Sequence, residues 1–234
     1  IDRAKDLDIS ERELKAESIV LCSFGDASAN HATALSAFNT ASWVSNSGGH
    51  VPIIFICEDN GTGISVPTDD HWIEQNFSNR PGLHYIQTDG LHLIDLIIKS
   101  RRVEHDCRID RSPIFLHMKT VRLMGHAGSD VEVGYLPLAE IEATESNDPL
   151  LHSSRILIEN NCISSEEIVR LYESIRHQVN HVFDATTLRP KLESAEDVIE
   201  SIIANQSSRK IPKHPSAKAR KDLFGKEFNR MDQS

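Results

Sequence analysis

The chain has 234 residues, with 35 Asp or Glu against 25 Lys or Arg, a formal net charge of −10 and four cysteines. That length allows one large domain or two small ones, with a core that needs no staples. The acidic balance excludes a generally basic nucleic-acid binder, and no apolar run reaches the roughly 20 residues that span a bilayer.

The first residue is Ile1 rather than Met and no signal peptide follows, so a fragment of a longer protein is expected. Residues 3–17 form a charged, helix-like run. Ile19 to Ser23 is a short apolar run of the kind buried on both faces of a parallel sheet, and Gly25-Asp26 breaks it. Residues 30–45 read as a helix with Asn30 as its N-cap. Pro52 to Cys57 is a second buried strand, followed by the polar loop Glu58 to Thr62. Leu83 to Gln87 is a third strand. Leu91 to Asp106 places Leu93, Ile94, Ile97 and Ile98 at helical spacing. Pro113 to Val121 is a fourth strand, with proline at its start where the missing N–H does least harm. Asp148-Pro149 opens a helix, Ser164 to Glu167 cap a long one ending near Thr187, and Ser194 opens a short last one.

This alternation predicts an α/β domain over residues 19–205, a mainly parallel sheet flanked by helices. The C-terminal helices are expected to wrap that layer rather than form a separate domain. Residues 1–18 read as an incomplete N-terminal region and 206–234 as a basic linker or tail. Residues 207–234 hold eight Lys or Arg against three acids, so the rest of the chain carries −15. Cys22, Cys57, Cys107 and Cys162 form no CxxC pair, and Cys22 and Cys57 sit in apolar runs. This is the cysteine usage of a reducing compartment, so a cytoplasmic protein is expected.

In open α/β sheets ligands bind beyond the carboxyl ends of the strands. Three polar loops occupy that position: Phe24 to Ser28, Glu58 to Thr62, and Arg122 to Asp130. Asp26, Asn60 and a nearby backbone carbonyl are hard oxygen donors of the kind Mg²⁺ takes together with phosphate and water. Arg122 and His126 suit a diphosphate. Taken singly, a Gly-Asp or an Asp-Asn pair also makes an ordinary turn. His177 and His181 stand at zinc-ligand spacing on a helix, but no third ligand accompanies them and a solvent-facing pair is the simpler reading. No HExxH, GxxxxGK[ST], GxGxxG or nucleophile elbow is present.

Gly25-Asp26-Ala27, followed after a spacer by Asp59-Asn60, resembles the thiamine-diphosphate motif, whose usual form is Gly-Asp-Gly and then Asn-Asn. Phe55-Ile-Cys-Glu-Asp-Asn60, Ile64-Ser-Val-Pro67, the Arg122 to Asp130 loop and Asp148-Pro149-Leu150 follow in order. Over about residues 19–204 they resemble the alpha region of the decarboxylating component of 2-oxo acid dehydrogenases, of the pyruvate and 2-oxoisovalerate type. The resemblance implies the thiamine-diphosphate-binding fold, oxidative decarboxylation of a 2-oxo acid, and acyl transfer to a lipoyl group. It implies cofactor contacts from Gly25, Asp26, Ala27, Asn60, Thr62, Gly63, Ile64, Arg122 and His126. Mg²⁺ would be held by the Asp26 and Asn60 side chains and the Thr62 carbonyl, and His126 would be catalytic in acyl transfer.

The implied partners are a beta half, in the same chain or as a separate subunit, and a lipoyl-bearing acyltransferase, with a dimer of alpha–beta units and neither nucleic acid nor membrane. The beta half would bring the glutamate that activates the cofactor, so this chain alone is expected to be inactive. Two departures stand out: Ala27 replaces the second glycine and Asp59 the first asparagine. Acetoin-cleaving and transketolase-like enzymes of the same cofactor class are the alternatives, as is a non-catalytic assembly domain of the same fold; the presence of Asp26 and Asn60 weighs against the last.

Overall fold

A computed structural model describes residues 18–200. The expectations for the charged run 3–17 and the basic tail 206–234 lie outside the described residues. The chain divides into two compact units within the longest of the described helices, one running to Ile175 and the other starting at Arg176.

The first unit opens with β1 (Val20–Gly25), a 3₁₀ turn (Ala27–Asn30), α1 (Ala32–Asn46) and β2 (Ile53–Asp59). A small antiparallel hairpin follows, β3 (Thr62–Gly63) and β4 (Val66–Pro67), and then α2 (Trp72–Phe77), β5 (His84–Asp89), α3 (Leu93–Asp110) and β6 (Ile114–Lys119). The four long strands form one parallel sheet in the order β1-β2-β6-β5.

Alternate residues of the central strands serve opposite faces, as the two-residue strand period requires. On one face Phe55 and Cys57 of β2 and Phe115 of β6 pack against Phe38 and Ala41 of α1 and Ile73 and Phe77 of α2. The rings of Phe38, Phe77 and Phe115 meet edge-on or stacked, with Phe77 and Phe115 centroids 4.1 Å apart. On the other face Ile54, Ile114 and Leu116 pack against Val103 and Cys107 of α3. The β1–α1–β2 and β5–α3–β6 crossovers therefore lie on opposite faces of the sheet. They part between β2 and β6, which makes that gap the topological switch point.

Three expectations are corrected. β1 is not buried on both faces: Val20 is 57% and Leu21 64% exposed, and Cys22 is exposed as well, because β1 is an edge strand. An apolar run reads alike at the centre and at the edge of a sheet. Asn30 does not cap α1. His31 does, its Nδ1 accepting the Thr33 N–H at 3.2 Å, while Asn30 closes the 3₁₀ turn and accepts the Trp72 indole N–H at 2.6 Å. Helix α2 was not anticipated, whereas α4 (Leu138–Glu145) lies in the stretch from Leu136 onward that the sequence reads as helical.

The caps of the later helices follow the sequence. Asp148 accepts the Leu150 N–H at 2.8 Å to start α5 (Pro149–Glu159). Ser164 and Glu167 form a reciprocal capping box at the start of α6 (Ser165–Thr187). Ser194 caps α7 (Ala195–Glu200). Within the first unit α5 reaches α3, and neither α4 nor α5 contributes a buried residue. Among the described residues no helix is long and apolar enough to cross a membrane.

Candidate functional site

Parallel pairing sets the geometry. Gly25 pairs in register with Glu58, and Asp59 with Lys119. The loops that follow β1, β2 and β6 therefore leave the sheet side by side at its carboxyl edge, as the sequence reading expected.

Asp26 is the first residue beyond β1 and is only 4% exposed. Its carboxylate accepts the Thr68 hydroxyl hydrogen bond. Thr68 is in turn fixed by its own N–H, which donates to the Gly61 carbonyl at 2.9 Å. Among the described residues no Lys, Arg or His forms an ion pair with Asp26. A buried carboxylate is costly unless paired or bound to a metal.

The second loop is a run of tight turns. Asp59 Oδ1 accepts the Gly61 N–H at 3.1 Å and Asn60 Oδ1 accepts the Thr62 N–H at 3.0 Å. Gly61 has φ +74°, a backbone glycine adopts freely. The β3–β4 hairpin turns through Ile64 and Ser65 with Ile64 at φ +57°, a region a β-branched residue rarely enters. Such a turn needs positive φ at its first central position. The Arg122 guanidinium holds it there by donating to the Ile64 carbonyl at 2.6 Å.

The third loop is organised by Asp130. Its Oδ2 accepts the His126 N–H at 2.7 Å and the carboxylate also accepts from the Tyr135 hydroxyl. The His126 N–H, Tyr135 and the nearby Arg122 hold the Asp130 carboxyl below the usual carboxylate range. Partial desolvation, then the hydrogen bond to Asp130 and that group's charge, push the Tyr135 hydroxyl up.

Beneath the second loop lies a polar chain that the sequence reading missed. His117 is fully buried; one ring nitrogen meets Asp59 Oδ2 at 2.7 Å and the other meets the Tyr85 hydroxyl at 2.6 Å. Lys119 Nζ also reaches Asp59 Oδ2, at 2.7 Å. Burial pushes the Asp59 carboxyl up, but hydrogen bonds from Lys119, His117 and the Gly61 N–H outweigh it and hold the group below its ordinary range. A histidine inside the apolar run Ile114 to Met118 was the available signal.

A cleft of about 250 Å³ opens at the switch point, lined by Asn60, Thr62 and Arg122 with Ser65, Glu132 and Tyr135 among others. Three of the expected site residues thus share one cleft. Asp26 and Ala27 stand beside it on the neighbouring loop, where Ala27 touches the space above Gly63. His126 is exposed on the third loop and does not line the cleft. His177 and His181 are exposed on α6, and no group of three His, Cys, Asp or Glu that could hold a metal occurs among the described residues. The oxygen donors present are instead mixed, with one buried carboxylate, one side-chain amide and backbone carbonyls. Such a set fits a hard divalent cation that completes its shell with phosphate and water.

The dehydrogenase E1 component family profile matches residues 4–195. Among curated proteins, the chain is 26% identical over 187 residues to the pyruvate dehydrogenase E1 component subunit alpha, mitochondrial, of Dictyostelium discoideum, a match covering 78% of this chain and 48% of that protein. It is 27% identical over 184 residues to the testis-specific form of that subunit in Rattus norvegicus, covering 76% of this chain and 45% of that protein. It is 26% identical over 181 residues to the human somatic form, covering 75% and 44%. The chain spans about half the length of the curated relatives it matches.

Proposed function

The chain belongs to the dehydrogenase E1 component family, a thiamine-diphosphate-dependent family with an α/β fold, and from that premise we propose that it supplies one side of a Mg²⁺–thiamine diphosphate site. The enzyme it serves would decarboxylate a 2-oxo acid, with pyruvate the first candidate because the matched relatives carry that name. The observation that carries this reading is the buried Asp26 carboxylate, without a cationic partner among the described residues, at the carboxyl ends of two adjacent parallel strands.

Asp26 and Asn60 would hold Mg²⁺ through side-chain oxygens and Thr62 through its carbonyl. Arg122 would meet the diphosphate, with Gly25, Ala27 and Gly63 allowing close backbone approach. Ile64, 62% exposed and held at φ +57°, would present an apolar surface to the cofactor ring. Strain of this kind, of order 1–3 kcal/mol, is stored where a structure clamps a ligand. Bound thiamine diphosphate supplies the carbanion chemistry that releases CO₂ from a 2-oxo acid. The chain's own residues bind, orient and polarise. His126, on the loop fixed by Asp130, would assist acyl transfer to a lipoyl group.

The reading includes a beta half that completes the site, a lipoyl-bearing acyltransferase as acceptor, and a dimer of alpha–beta units. Four free cysteines support a reducing compartment, and the cytoplasm is the compartment proposed. In the complete protein with its beta half, Asp26→Ala should abolish Mg²⁺-dependent thiamine diphosphate binding measured by calorimetry. Unchanged affinity would rule out the site.

A further inference from the structure

Four side chains form a continuous hydrogen-bonded chain across the sheet below the cleft, buried at His117 and Asp59 and partly exposed at Lys119. The Tyr85 hydroxyl of β5 meets His117 of β6, His117 meets Asp59 of β2, and Lys119 of β6 meets the same Asp59 oxygen. Lys119 also donates to the Asp70 carbonyl at 3.0 Å, anchoring the far end. The hydrogen-bond roles are set by chemistry. The Asp59 carboxylate can only accept, so the facing His117 nitrogen donates, and the Tyr85 hydroxyl satisfies the other nitrogen.

The strands these residues sit on are already joined by their backbone ladders. A buried ionic group is weak evidence for added stability, since packed apolar residues of the same volume often serve better. The chain does have one outlet: the free oxygen of Asp59, Oδ1, accepts the Gly61 N–H and so shapes the turn that carries Asn60 and Thr62.

We propose that His117 and Lys119 are positioning residues that hold Asp59, and through it the Asn60–Thr62 turn, in the geometry that binds Mg²⁺–thiamine diphosphate. This inference rests on the cofactor site proposed above. Groups that orient ligand-bearing loops typically change affinity about 10–100-fold when removed.

The test is calorimetric affinity for Mg²⁺–thiamine diphosphate in the complete protein, read beside thermal unfolding. His117→Leu should weaken binding about 10–100-fold. His117→Gln, whose amide N–H can still reach Asp59, should recover most of that loss. Asp59→Asn with His117→Leu should bind no more weakly than Asp59→Asn alone, because His117 acts through Asp59. Lys119→Met, at a partly exposed position, gives a second reading should His117→Leu not fold, and should weaken binding at least fivefold. A lowered unfolding temperature with unchanged affinity in these variants would overturn the positioning role and leave the cofactor site standing. No binding by the unsubstituted protein would overturn both.

Discussion

Gly63 lies so close to Ala27 that a Cβ built on Gly63 would stand 2.6 Å from the Ala27 Cβ. The loop after β1 and the hairpin after β2 are therefore in contact, which places Asp26 beside the Asn60–Thr62 turn. Carbon atoms rest about 3.5–4.0 Å apart, so Gly63→Ala must part the two loops by about 1 Å. Displacements of that size at a positioned site can cost on the order of 100-fold. Gly63→Ala should weaken Mg²⁺–thiamine diphosphate binding at least tenfold, and adding Ala27→Gly should restore it in part. Equal calorimetric affinities for Gly63→Ala and the unsubstituted protein would show that the contact does not shape the site.

Asp95 offers a pH-dependent test of how α3 is joined to β5. Its Oδ2 accepts from Thr88 at 2.9 Å, from the Asp89 N–H at 3.2 Å and from Lys99 at 3.0 Å. Lys99 first, then the Asp89 N–H, hold its pKa below the ordinary carboxylate value. A depressed folded value means the stabilisation is fully present above the unfolded pKa of roughly 3.9 and is lost as pH falls through the folded one. Asp95→Asn should lower the unfolding temperature slightly at pH 7, and the gap should close as pH drops below about 4. A gap that persists undiminished at pH 3 would place the effect in the helix turn rather than in the charge.

The two central strands were legible because Ile54 and Ile56 alternate with Phe55 and Cys57, and Ile114 and Leu116 with Phe115, each set finding its own core. The arrival of the loops after β1, β2 and β6 at one edge was legible too, since parallel strands bring their following loops together. Position within the sheet was not. The apolar run of β1 carries no mark of its exposed edge, and only pairing reveals it. Nor were Thr68 beside Asp26 or His117 beside Asp59 readable, because those partners lie 42 and 58 residues apart in the chain. Local patterns carry local structure, whereas a site assembled from distant segments needs the fold to bring its supporting groups together.

Ile64 separates local strain from ligand support. A non-glycine residue in the left-handed region costs roughly 1–2 kcal/mol. Glycine relieves that strain but loses about 0.5–1 kcal/mol through greater freedom in the unfolded chain. The side chain is 62% exposed, so its removal empties no core. Ile64→Gly should therefore leave unfolding stability unchanged or raise it by at most about 1.5 kcal/mol. Burying an isoleucine against a ligand is worth about 1.5–3 kcal/mol, so cofactor affinity should fall at least tenfold in the same variant. Chemical denaturation and calorimetry on one preparation read both effects. A loss of stability beyond about 2 kcal/mol would mean that Ile64 is held by packing rather than strained. Unchanged affinity would remove it from the cofactor surface, and only the combination of retained stability with weakened binding identifies a residue kept in a costly conformation for its ligand.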